Sequence, residues 1–284
     1  MITTNKIRFT ANKDTNYIFH MLSVAKCGYD NAYGDYYKNL YPDEDLALLK
    51  ANEKFLTVCG GEHCGVLYGT LIGAPACAKV SAKEYYADFI RIAENDQVPK
   101  EIEKYIEIAC RISEVMIKHY DAYVNTIWDI EKKKIVEYIP KVHDLFEKSN
   151  FTEKAEEIVG CRLGSDFFTA TLVTSVENGA EAIDISNEQD LFGIARTPMD
   201  AFYFIGHEFI IYLLFEALKE ENSFKEFDTW LITEGLAEFY LKQVMGDTRF
   251  FNSQQKYVDF FEKCCCSEKL TAVELYKKGL ETIS

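Results

Sequence analysis

Residues 198–221, which read Pro198, Met199, Asp200 and then AFYFIGHEFIIYLLFEALKEE, constrain the fold more than any other stretch. Apolar side chains fall on nearly every side of the run and a proline opens it, so it reads as a helix buried over most of its surface. A helix of that kind carries ionisable groups only where partners meet them, yet His207 and Glu208 stand side by side in its middle. A second stretch, WLITEGLAEFYL from Trp230 to Leu241, predicts a helix with Glu234 and Glu238 four residues apart on one face. Two carboxylates so placed repel each other unless a cation or protons intervene.

His-Glu in an apolar helix, followed by a helix reading W-L-x-x-E-G-L-A-E-F, resembles the gluzincin branch of the zincin metallopeptidases. In that family the first helix carries H-E-x-x-H. Its two imidazoles, at i and i+4 on one face, reach a single zinc ion, and the intervening Glu takes a proton from zinc-bound water. Residue by residue, the resemblance makes His207 the first zinc ligand, Glu208 the general base and Glu234, on the next helix, the third ligand. The second imidazole of the motif falls at position 211, where this chain has Ile211. Tyr212 does not replace it, because five residues advance about 500°, roughly 140° round the helix from His207. The resemblance also implies a zincin-like arrangement in which a small sheet precedes the two motif helices. Leu191, Phe192, Gly193 and Ile194 would form its edge strand, able to pair with an extended peptide.

A catalytic zinc takes three protein ligands and leaves one position open; His207 and Glu234 are two. Asp200, Glu238, a cysteine of the Cys264-Cys265-Cys266 run or a tyrosine are the candidates for a substitute, and Glu238 is also placed to support the ligands from behind. The expectation is therefore a peptidase-like protein with an incomplete Zn2+ site, inactive or binding a peptide or protein segment. The alternatives are an active zinc peptidase with a substitute third ligand, and an unrelated helical binding protein in which His207, Glu208 and Glu234 form a buried polar network.

Composition bounds the rest. The 284 residues, 48% of them hydrophobic, suffice for one or two domains. Acidic residues outnumber basic ones 46 to 31, a net charge of −15, which argues against nucleic acid and anionic membrane as partners. The first residues show no apolar core of a secretory signal, and the run Ala201–Phe215 reads as short for a membrane span. Nine cysteines, an odd number, suggest reduced thiols and a cytoplasmic setting. Cys59, His63 and Cys64 lie in a glycine-rich turn whose spacing fits no zinc pattern.

Along the chain, residues 1–10 read as extended and residues 28–42 as a loop. Helices are predicted over 14–25, 42–58, 82–95, 100–127 and 128–148, the last bent or broken at Pro140. The β-branched and aromatic run 167–175, then 182–185 and 191–195, predicts three strands. Helices near 252–264 and 271–280 close the chain. The fold class is α+β and predominantly helical, with a helical region over 1–150 and a zincin-like domain over 151–284.

Overall fold

The computed structural model describes residues 2–3, 6–58, 63–95, 100–177, 180–221, 227–246, 255–266 and 269–283. Within them the protein is predominantly helical with one small sheet. Strands β1 (Ile2–Thr3) and β2 (Ile7–Thr10) are followed by helices α1 (Lys13–Val24), α2 (Ala32–Tyr37), α3 (Asp43–Ala51), α4 (Glu53–Leu56), α5 (Ala74–Cys77), α6 (Ala82–Ala93), α7 (Ile106–Thr126), α8 (Trp128–Ser149) and α9 (Phe151–Val159). Then come β3 (Phe168–Val173), β4 (Ala180–Asp184) and β5 (Gln189–Gly193), and helices α10 (Pro198–Leu218), α11 (Phe227–Met245), α12 (Gln255–Cys265) and α13 (Ala272–Ile283).

The chain divides into two units that interleave in sequence. One takes Phe9–Pro140 and Ala170–Thr197; the other takes Ile2–Arg8, Lys141–Thr169 and Pro198–Ser284. This differs from the division at residue 150 read from the sequence. Strands β4 and β5 group with the N-terminal helices rather than with the motif helices, because strand pairing ties distant segments together. The boundary at Pro140 lies inside α8, which runs on through the proline.

The sheet order is β1-β2-β3-β5-β4. Strand β4 runs antiparallel to β5, with Ala180 opposite Phe192 and Glu181 opposite Leu191. The expected edge strand is thus corrected: Leu191, Phe192 and Gly193 lie on β5, which has β3 on one side and β4 on the other. Its backbone is taken up by that pairing, and Leu191 and Phe192 are buried. Ile194, just beyond the strand, donates its N–H to the Val173 carbonyl at 2.9 Å. An extended peptide therefore has no open edge on β5.

In the first unit the core forms where α1 meets α7. The Tyr17 ring packs edge-on against Tyr120 at 5.1 Å and tilted against Tyr123 at 5.3 Å, and its buried hydroxyl donates to the Met116 carbonyl. Segment 28–42 is not the plain loop expected. The Asn31 side chain accepts from the Gly34 N–H at 2.8 Å and so starts the short helix α2. Asn52, by contrast, interrupts the single helix expected over 42–58, leaving α3 and α4. Cys64 corrects the reading of uniformly reduced thiols, since it is disulfide-bonded; Cys59 lies outside the described residues. Cys27, Cys77, Cys110, Cys161, Cys264, Cys265 and Cys266 carry thiols rather than disulfides.

In the second unit α10 is enclosed as its composition demands. Phe202 meets Phe146 at 4.5 Å and Phe151 at 5.8 Å, and Phe209 meets Phe168 at 6.2 Å. By length and composition α10 could cross a membrane, but 72% of its most apolar window is buried within the protein, and the core helix of a globular unit passes the same test. Gly235, the glycine of the EGLAE string, has a packing role. A Cβ there would stand 2.3 Å from the Tyr257 Cβ, so glycine lets α12 close onto α11.

Candidate functional site

The site lies in the second unit, where α10 carries His207 and α11 carries Glu234. His207 is held by the apolar burial of its helix, and its side chain is 2% exposed. Glu234, 24% exposed, reaches it directly: the imidazole Nε2 stands 3.0 Å from the carboxylate Oε2. A carboxylate only accepts, so Nε2 carries the proton and donates. Glu208 is half-buried on the turn beside His207, and Ile211, one turn on, is 2% exposed.

Glu238 is the unexpected member. Its place on the Glu234 face follows from spacing, but its burial to 1% exposure does not. Its Oε1 has no hydrogen-bond partner among the described residues. Burial, with Glu234 adding like charge, pushes its carboxyl up to about 8, so Glu238 is a neutral acid over much of the neutral range. The folded state then holds a proton that the unfolded chain releases near pH about 4. Glu238 thus stabilises the fold in acid, and that contribution is lost as pH rises from about 4 through about 8. Unfolding free energy should fall across this window in wild type and fall less in Glu238→Gln, as read from urea titrations at several pH values.

For a catalytic zinc, His207 and Glu234 are the residues of this site that would serve as ligands. Two donors are in place where three are needed, and among the described residues no group of three or more His, Cys, Asp or Glu side chains is placed to hold a metal ion. Neither Asp200, Glu238 nor the Cys264–Cys266 run completes the pair. The atoms a metal would take from His207 and Glu234 are instead bonded to each other. His119, His143 and His63 are occupied elsewhere: His119 Nε2 meets Asp45 at 2.7 Å, His143 lies 3.8 Å from Asp144, and the His63 ring stacks edge-on to Tyr105 at 5.9 Å.

No protein-family model, no curated protein and no solved structure matches the chain.

The His207–Glu234 bond joins two helices within one buried surface, and its loss is measurable. Glu234→Ala leaves a buried imidazole N–H without its acceptor, at a cost of about 1–3 kcal/mol, whereas Glu234→Gln keeps a carbonyl acceptor and costs less. Denaturant midpoints of the two variants should rank in that order.

Proposed function

We propose that this is a peptidase-like protein that does not hydrolyse peptides, its zinc site lacking the second imidazole at Ile211. One observation carries the reading: His207 and Glu234, the two residues that match the gluzincin ligands, meet at 3.0 Å, while the buried Ile211 fills the position one turn from His207. An isoleucine there takes the volume of an imidazole and offers no donor atom. Without a metal, Glu208 has no activated water to deprotonate, and the His207–Glu234 pair serves as a polar tie between α10 and α11. On this reading the protein acts by binding a peptide or protein segment. The direct bond within the pair also suits a second reading, a helical binding protein with an internal polar network and no tie to peptidases.

The test is hydrolysis of mixed peptide libraries with zinc and with a chelator. Expected is no chelator-sensitive cleavage. Chelator-sensitive cleavage that Glu208→Gln abolishes would establish an active enzyme with a substitute ligand.

A further inference from the structure

Away from His207, the first unit contains a second buried polar constellation. His20 on α1 is fully buried. Its Nδ1 pairs with the Tyr33 hydroxyl and its Nε2 with the Tyr41 hydroxyl at 2.7 Å. Tyr33 in turn donates to Glu131 Oε1, and Tyr123 donates to Glu131 Oε2 at 2.6 Å. Glu131, on α8, is 1% exposed and has no ion-pair partner within 4.0 Å among the described residues. The rings of Tyr37, Tyr41 and Tyr123 enclose the imidazole at centroid distances of 5.2, 5.5 and 4.9 Å.

Counting protons fixes the direction of every bond. An ionised Glu131 only accepts, so Tyr33 and Tyr123 both donate to it. With its proton spent, Tyr33 oxygen accepts from His20 Nδ1–H. Nε2 is then bare and accepts from Tyr41. The chain Tyr41, His20, Tyr33, Glu131 points one way. It can be reversed without breaking contact. The Tyr41 proton passes to Nε2, the Nδ1 proton to Tyr33 oxygen and the Tyr33 proton to Glu131, while one proton from water restores Tyr41. The balance is one proton gained, resting on Glu131, and His20 changed from the Nδ1–H to the Nε2–H tautomer while staying neutral.

We propose that Tyr41, His20, Tyr33 and Glu131 form a proton wire that titrates the buried Glu131, with His20 switching tautomer as its readout. The wire also fastens segment 28–42, since Tyr33 and Tyr41 hold its middle and its end to α1 and α8. The groups facing it are few. Tyr37 lies beside it on α2 and Tyr123 on α7, while the Thr174 hydroxyl, just past β3, and Lys134, on α8 itself, favour the Glu131 anion. At the Tyr41 end, the His119 ring stacks edge-on at 5.0 Å and is bonded to Asp45, which also binds Lys118. The electrostatics agree with the geometry. Burial raises the Glu131 carboxyl above its usual range, and burial lowers His20 to about 3, so the proton settles on the carboxyl and not on the imidazole.

The test is nitrogen-15 NMR of histidine-labelled protein across the pH range in which it stays folded. His20 should be the Nδ1–H tautomer at high pH and the Nε2–H tautomer at low pH, with one midpoint shared by the Glu131 carboxyl carbon. Glu131→Gln should remove the pH dependence of the tautomer. Tyr33→Phe, which leaves Glu131 in place and cuts the wire, should uncouple the two signals. A tautomer constant with pH, an imidazolium forming over the same range, or a switch that persists in either variant would overturn the proposal.

Discussion

Gly193→Ala is expected to destabilise the first unit by about 3 kcal/mol or more. A Cβ at this position would stand 1.6 Å from the Val176 carbonyl oxygen and 2.8 Å from the carbon that bears it. Both atoms are backbone, so no side chain can swing aside, and the strand must move. Strand β5 is internal to the sheet, so a shift disturbs ladders on both of its sides. Overpacking in a well-filled core costs about 1–3 kcal/mol and occasionally more. A backbone clash this deep belongs at or above the top of that range, a large share of a total stability of roughly 5–15 kcal/mol. Gly69→Ala is the control, because nothing lies within 4 Å of a Cβ there. Urea unfolding should place Gly69→Ala within about 0.5 kcal/mol of wild type. A Gly193→Ala protein as stable as the control would show that β5 does not sit against Val176 as described.

Ile211→His should make the fold dependent on zinc. Position 211 lies one turn from His207 on the same helix face, so a new imidazole points the same way. Without metal, a polar ring replaces a buried apolar side chain, at a cost of about 1–3 kcal/mol. With metal, His207, Glu234 and the new imidazole supply three ligands, and a ligand that binds only the folded state stabilises it by about 2.7 kcal/mol at 100 times its dissociation constant. The variant should therefore melt below wild type in chelator and recover on adding zinc, whereas wild type should not respond. Stabilisation of neither protein would mean that the geometry at position 211 does not suit a metal.

Features set by interactions between near neighbours in the chain show in the sequence, and features set by packing between distant segments do not. The predominance of helix, the two motif helices and the three strands from Phe168 onward rest on local periodicity, and they stand within a few residues of where the sequence puts them. Helix α9 escaped notice because its signals are its ends. Asn150 and Gly160 both take left-handed conformations, with φ of 51° and 76°, and a sequence does not display dihedral angles. Sheet order escaped for a different reason. The apolar run over 191–195 says that a strand forms but not which strands flank it, and pairing on both sides closes the expected peptide edge.

The sites divide in the same way. His207 and Glu234 could be brought together from motif order alone, because the resemblance places them on consecutive helices that share one site. The depth of Glu238 could not, since it depends on what packs against α11. The His20 wire is hard to see in the sequence: its members lie at positions 20, 33, 41 and 131, with no common spacing, and only the packing of α1, α2, α8 and the stretch at Tyr41 gathers them. A tyrosine-rich segment over 28–42, read as a polar loop, was the one available signal.

On the proposed reading, the His207–Glu234 pair holds a hydrogen bond where a peptidase would hold zinc. Metal analysis of wild-type protein, purified without chelator and dialysed against trace zinc, tests it most directly. Expected is far less than one equivalent of zinc per chain, unchanged in His207→Ala. One full equivalent that His207→Ala or Glu234→Ala removes would contradict it.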